Sequence, residues 1–227
     1  MGFLNKLFTE LFTEEVDEVF PNIDKSFNVL FVADTHGSLR NHLDELEELL
    51  ENFTLFELQA VIFLGDVSLR DIEILRAYIP DLNEISYGVL GNHDNFGDLE
   101  KAGIKNLDGQ IVNINGLTFG GFGGSIKYKN SDAPLLTDEE SLIKADNLER
   151  VDIFITHDGP KNESKDVAHS GLLGITKYIF DKQPKYHFYG HLHKHIVTTE
   201  RNTTSICEYF LSVYKFSLDG CKKLYKN

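Results

Sequence analysis

Ile85-Ser86-Tyr87-Gly88-Val89-Leu90-Gly91-Asn92-His93-Asp94 is the stretch around which the rest of the chain can be ordered. A short, mostly apolar run closed by Gly and Asn spells a buried strand that enters a loop, so the polar side chains stand at the strand's carboxyl end. In open α/β sheets ligands bind there. Taken alone, Asn92, His93 and Asp94 fit ordinary turn chemistry, in which Asn and Asp bond nearby backbone. The same arrangement recurs, however, at four other strand ends.

Upstream, Asn28-Val29-Leu30-Phe31-Val32-Ala33 is an apolar run of buried-strand type, followed by a helix with Leu39, Leu43, Leu46 and Leu50 on one face. Ala60-Val61-Ile62-Phe63-Leu64 repeats the strand, and Leu69 to Ile79, stopped by Pro80, repeats the helix. Downstream, Gln110–Ile114 and Leu117–Phe122 flank Asn115-Gly116, a dipeptide suited to a type I′ hairpin turn, so the sheet cannot be purely parallel. Gly120, Gly121, Gly123 and Gly124 match neither nucleotide fingerprint and read as close backbone packing or a mobile loop. Thr137-Asp138-Glu139-Glu140 is a capping box that opens a helix. Val151–Thr156 and Tyr186–Tyr189 are further strands, separated by a helix over Leu172–Phe180. Two or three more strands fall within His195–Leu218. Parallel units followed by hairpins predict an α/β fold, a sandwich of two sheets with helices outside.

Composition narrows the partners. A length of 227 residues suits one domain with a substantial core. With 22 Lys+Arg against 36 Asp+Glu the net charge is −14, which disfavours a nucleic-acid backbone or an anionic membrane as the main partner. Small anionic substrates stay open if metal supplies the positive charge. Cys207 and Cys221 make neither a disulfide framework nor a metal motif, and free thiols in a reducing compartment are the simpler expectation. No run approaches the roughly 20 apolar residues of a membrane helix, and a basic-plus-apolar secretion signal is missing, so the expected location is the cytoplasm.

The first 20 residues form a unit apart. Phe3, Leu4, Leu7, Phe8, Leu11, Phe12, Val16, Val19 and Phe20 recur at three- and four-residue spacing, as in an amphipathic helix ending before Pro21. Its polar face is acidic, which favours packing on the parent domain or across a homo-oligomer over a membrane anchor. Residues 1–26 are thus expected as helix and linker, with Asn22–Ser26 the linker, and residues 27–227 as the domain.

The strand ends read Asp34-Thr35-His36, Gly65-Asp66, Gly91-Asn92-His93-Asp94, His157-Asp158 and Gly190-His191-Leu192-His193. Five of the nine histidines lie at these positions. Each alone has a bland explanation, as a solvated loop histidine or a helix-capping aspartate. Five equivalent placements are a pattern. Imidazole, carboxylate and amide donors without thiolate suit Mn first, with Fe, Zn, Co or Ni as other fits, and seven candidate ligands suit two ions that share a bridge.

These five blocks, in this order, resemble the pattern of the calcineurin-like metallophosphoesterases, over about Asn28 to His195. The resemblance implies a two-sheet sandwich flanked by helices. It implies one metal held by Asp34, His36 and His193, a second by Asn92, His157 and His191, and Asp66 as the bridge. It also implies that His93 contacts the phosphate and protonates the leaving oxygen.

The chemistry is consistent with such a site. A phosphoester repels hydroxide, and two cations roughly 3.5–4 Å apart neutralise it, align the attacking and leaving oxygens, and lower the pKa of bound water towards ~7. The leaving alkoxide then needs a proton, which a histidine can give. The expected substrate is a small phosphomonoester or phosphodiester.

The chain also departs from the pattern. Many relatives continue Gly-Asp-x-x-Asp-Arg, with the second Asp orienting the catalytic histidine, whereas here the sequence is Gly65-Asp66-Val67-Ser68-Leu69-Arg70-Asp71. Either Asp71 or Asp94 takes that role or His93 is unsupported. Arg70 falls where phosphate-binding arginines occur in protein-phosphatase relatives. His169, in Ala168-His169-Ser170-Gly171, lies in a stretch that resembles one in some small bacterial-type members, and is expected to reach the pocket. Two alternatives are a non-catalytic scaffold of the same fold, disfavoured by the complete ligand set, and a nuclease, disfavoured by the acid balance.

Overall fold

The computed structural model describes residues 20, 22, 23, 25–52 and 58–226. The expected N-terminal helix therefore lies outside the described residues, apart from Phe20. Two six-stranded sheets form the sandwich. In chain order the strands are β1 (Phe27–Ala33), β2 (Leu58–Phe63), β3 (Ser86–Gly88), β4 (Lys105–Asn106), β5 (Ile111–Ile114), β6 (Leu117–Phe122), β7 (Ser125–Ile126) and β8 (Leu135–Leu136). They continue with β9 (Ile153–Thr156), β10 (Tyr186–Tyr189), β11 (Ile196–Glu200), β12 (Thr203–Cys207), β13 (Phe210–Ser217) and β14 (Gly220–Lys226). The first sheet has the order β14-β13-β1-β2-β3-β4 and the second β11-β12-β10-β9-β6-β5, while β7 and β8 pair separately. Strands β1 to β4 are parallel, as are β6, β9, β10 and β12; antiparallel strands complete both sheets.

Strand parity explains the layers. Val29, Phe31 and Ala33 of β1 point between the sheets and Leu30 and Val32 point outward, so a strand apolar on both sides joins two cores. Between the sheets Phe31 stacks on Phe188 with ring centroids 4.1 Å apart. Outside the first sheet lie α1 (Leu43–Asn52) and α2 (Leu69–Tyr78), which bury Leu46, Leu49, Ile72 and Leu75. Outside the second lie α5 (Asp138–Asn147) and α6 (Leu173–Lys182), with Ala145, Ile175, Tyr178 and Ile179 packed on Phe122 and Phe154. Two single-turn helices, α3 (Leu82–Ile85) and α4 (Asp98–Lys101), flank β3.

The capping box forms as expected: Thr137 accepts from the Glu140 amide and Glu140 accepts from the Thr137 amide. Asn115 and Gly116 both have positive φ, as a type I′ turn requires. The glycine stretch is close packing, since a Cβ on Gly121 would lie 1.6 Å from the Ile155 carbonyl oxygen and one on Gly123 2.6 Å from that of Leu90.

Three expectations need correction. The strand over Ile85–Leu90 is only Ser86–Gly88, because Ile85 closes a helical turn; Val89 still bonds to the Phe63 carbonyl and stays buried. A further strand, β14, follows the Asp219-Gly220 turn and edges the first sheet. Finally, the expected linker is part of the fold. Ile23 belongs to the core between the sheets, and so does the non-helical Phe20, whose ring lies 5.8 Å from Tyr186 and 6.2 Å from Phe216. A Cβ on Gly116 would meet the Asn22 carbonyl at 2.2 Å, so the hairpin turn is seated on this segment.

Candidate metal centre

All seven candidate ligands leave the carboxyl ends of strands: β1, β2 and β3 of one sheet, β9 and β10 of the other. Asp34, His36, Asp66, His191 and His193 take positive φ. Non-glycine residues adopt that conformation at a cost, and it clusters at functional sites.

The glycines before the ligands have a steric reason. A Cβ on Gly65 would sit 2.5 Å from His157 Nδ1, on Gly91 2.1 Å from Asp66 Oδ1, and on Gly190 2.6 Å from Asp34 Oδ2. Each lets one ligand loop touch another.

Two groups of donors result, Asp34 with His36 and His193, and Asp66 with His157 and His191. In the first, His36 Nε2 lies 3.0 Å from His193 Nε2, and Asp34 Oδ1 is 4.0 and 3.7 Å from these nitrogens. Asp34 Oδ2 accepts from the His191 amide, whereas Oδ1 is buried without a hydrogen-bond partner. An orphaned buried carboxylate oxygen facing two imidazole nitrogens is a candidate donor set for a cation.

The second group makes the same case through tautomers. His157 Nδ1 lies 2.8 Å from the Leu64 carbonyl and must donate to it, so Nε2 carries a lone pair. That nitrogen is 2.9 Å from Asn92 Oδ1, and the amide's orientation is set by Asn92 Nδ2 donating to Tyr128 Oη at 3.2 Å. Two acceptors face each other, with Asp66 Oδ2 3.5 Å from His157 Nε2. The same Asp66 oxygen is 3.9 Å from His36 Nε2 in the first group. His191 Nε2 lies 2.7 Å from the Ala168 carbonyl, which leaves its Nδ1 as the acceptor.

Burial sets the protonation states. It holds His157 down to about 4 and lowers His36 and His193 as well, so all three favour the neutral, ligating imidazole. Burial, with Asp66 nearby, raises Asp34 well above the usual carboxylate range, and burial pushes Asp94 up to about 7. Divalent cations reverse that penalty for carboxylates.

Of the remaining candidates, His93 is exposed. Its amide donates to Asp66 Oδ1 at 2.7 Å, and its ring lies 5.1 Å from that of His36. Neither proposed orienting carboxylate reaches that ring among the described residues. Asp71 accepts from Thr35 Oγ1 at 2.6 Å, the Gly37 amide at 2.7 Å and the Leu39 amide at 3.2 Å, so it holds the first ligand loop. Asp94 accepts from the Asp66 and Gly91 amides at 2.8 and 2.7 Å and ties the second loop to the third. His169 is brought to the cluster, with its ring 5.0 Å from that of His191 and its Nδ1 paired to Asp166 at 2.7 Å. Arg70 is exposed on the first turn of α2, and no hydrogen bond or ion pair ties it to the cluster among the described residues.

Glu208 and Tyr209 escaped the sequence reading. Glu208 is buried, accepts from Ser212, Tyr214 and Lys223, and lies 3.1 Å from His195 Nδ1, which anchors the end of the loop carrying His191 and His193. Tyr209 stacks on His193 with centroids 5.2 Å apart. The only signal was an acid within the apolar run Ser205–Leu211.

Such a two-sheet sandwich, with candidate metal-binding groups facing each other at its strand ends, is the architecture of a calcineurin-like metallophosphatase fold. The calcineurin-like phosphoesterase superfamily domain matches residues 27–208, and the chain belongs to that superfamily. It is similar to an uncharacterized metallophosphoesterase of Campylobacter jejuni, 25% identical over an alignment of 158 residues, with 63% of this chain and 41% of that protein covered. Among solved structures, TT1561 of Thermus thermophilus superposes with a TM-score of 0.60 at 13% identity, over 88% of this chain and 99% of that one. GAP50 of Plasmodium, described as the anchor in the inner membrane complex, superposes with a TM-score of 0.51 at 11% identity, over 87% and 83%. At these identities the structural likeness concerns the fold. Among the described residues no helix is long and apolar enough to cross a membrane.

Proposed function

We propose that this protein is a two-metal phosphoesterase that hydrolyses a small phosphomonoester or phosphodiester. One observation carries the reading: Asp66 Oδ2 stands between two donor groups that each turn otherwise unsatisfied acceptors towards a common point. Asp34, His36 and His193 would hold one divalent ion, Asn92, His157 and His191 the other, with Asp66 shared and Mn the first choice. When bound, the ions supply charge neutralisation of the phosphate and activation of water.

The chain's own contributions are position and a proton. His93, exposed beside His36, donates the proton to the leaving oxygen. His169, steered by Asp166 and lining the groove next to His191 and His193, contacts the substrate, and Arg70 contributes a phosphate contact from α2. The compartment is the cytoplasm, and residues 1–19 serve packing or self-association. The scaffold alternative draws on the Plasmodium anchor, which has the same fold; the full donor set here favours catalysis.

The test is elemental analysis with turnover of bis(p-nitrophenyl) phosphate after Mn loading. Two ions per chain and Mn-dependent turnover are expected, and Asp66→Asn weakens retention of both ions. Two ions with no turnover on any phosphoester would favour the scaffold; one ion or none would remove the two-metal assignment.

A further inference from the structure

The rim that carries the donor cluster also carries a cavity of about 280 Å³, walled by Leu90, Phe96, Pro134 and Leu136, with Glu100 at its polar side. Topology places it beside the metal centre. Gly123 and Gly124 in its wall leave the carboxyl end of β6, and Asn106 ends β4; these strands run parallel to β9 and β3, whose exits carry His157 and Asn92. Phe96 lies three residues beyond His93, so their Cα atoms are at most about 11 Å apart. Phe96 is 68% exposed, a large aromatic residue that the fold leaves uncovered.

We propose that this cavity takes the base of a nucleoside phosphoester, with Phe96 as the stacking face and Glu100 as acceptor for an amino group on the base. The link between this cavity and the substrate rests on the phosphoesterase reading, in which His93, three residues before Phe96, meets the leaving oxygen. Binding of the base does not depend on that reading. Apolar walls with one exposed ring suit a flat ligand, and the volume is near the lower end for small-molecule sites. The polar side selects donors: both Asp108 oxygens are taken by Lys144, and Glu100 Oε1 accepts from Asn106 Nδ2 at 3.0 Å, while its Oε2 accepts nothing among the described residues. A sugar would lack the apolar face, and an aliphatic chain would lack the donor for Glu100.

Titration calorimetry of the full-length, Mn-loaded protein with adenosine, which has no phosphate, tests the site apart from catalysis. Saturable binding is expected, weakened about tenfold by Phe96→Ala and retained by Phe96→Tyr, in line with base–aromatic stacking elsewhere. Purine riboside, which lacks the amino group, should bind less tightly than adenosine, and Glu100→Gln should shrink that difference. In turnover, Phe96→Ala should raise KM for adenosine monophosphate more than for glycerol phosphate. Absent adenosine binding, binding indifferent to Phe96→Ala, or an equal KM change for both substrates overturns the proposal. Bis(p-nitrophenyl) phosphate turnover reports separately on the hydrolase reading.

Discussion

At the residue scale the histidines divide by what their nitrogens meet. His187 is fully buried, and its Nε2 lies 2.8 Å from Thr156 Oγ1, whose hydrogen goes to the Asp158 carbonyl; Nε2 therefore donates and Nδ1 accepts from Ser205 at 3.2 Å. Both nitrogens are satisfied in the neutral form, and burial lowers the group to about 3. Its unfolded value is about 6.5. The unfolded chain thus binds the extra proton between these values, so this contribution to stability is complete above about pH 6.5 and is lost as pH falls. At pH 5 the loss is about 2 kcal/mol by this linkage. Urea unfolding of chelator-treated protein at pH 7.5 and 5 should show it in the wild type and a smaller change in His187→Gln; equal changes would refute the assignment. His93 differs, standing in solvent with its amide, not its ring, bound to Asp66. Alanine there should leave metal content unchanged and slow alkyl phosphoesters by roughly 10²-fold or more, while nitrophenyl esters, whose leaving group hardly needs a proton, slow far less. Equal loss on both would remove the general-acid role.

At the element scale the glycine with the least room for a side chain lies between β6 and β9. The pair is parallel, Gly121 lies opposite Ile155, and the missing side chain brings the backbones together. Gly121→Ala should therefore cost about 3 kcal/mol or more, at the upper end for overpacking, because the atom in the way is a carbonyl oxygen of the sheet and cannot rotate aside. Thermal unfolding gives the answer, and an unchanged midpoint would show that the two strands can separate there. The same contact sets the geometry of the site, since β9 leads into His157. Glu208 acts in the same way on the opposite flank, where its buried carboxylate joins β13 and β14 to the loop after β10 through Ser212, Tyr214, Lys223 and His195.

For the whole molecule, the boundary of the fold lies earlier than the family resemblance. Phe20 and Ile23 are 1% and 4% exposed between the sheets. Removing residues 1–19 should keep metal content and turnover per folded chain while lowering stability or changing the oligomeric mass. Removing residues 1–26 should cost at least about 3 kcal/mol more, the scale of losing one buried Phe side chain. Equal midpoints for the two truncations, by calorimetry at one protein concentration, would show that the segment contributes nothing to the core.

The elements and the candidate donor set were legible in the sequence because both have local causes. Alternation and apolar runs mark β1, β2, β6 and β10, the Asn115-Gly116 pair marks its hairpin, and Gly-Asp, Gly-Asn-His-Asp and Gly-His-Leu-His mark loops where glycine admits a neighbouring ligand. What remained undecided depends on residues distant in the chain. No local signal says that Asp71 holds the Thr35 loop and Asp94 the Asp66 loop, so that neither bonds the His93 ring among the described residues, because a carboxylate's partners are the donors that folding places around it. Nor does one say that Phe20 enters the core rather than continuing a helix, since its 3.6-residue pattern is equally satisfied by either surface. Periodicity identifies which residues seek burial and which can bind a cation; only packing across the two sheets decides what each of them meets.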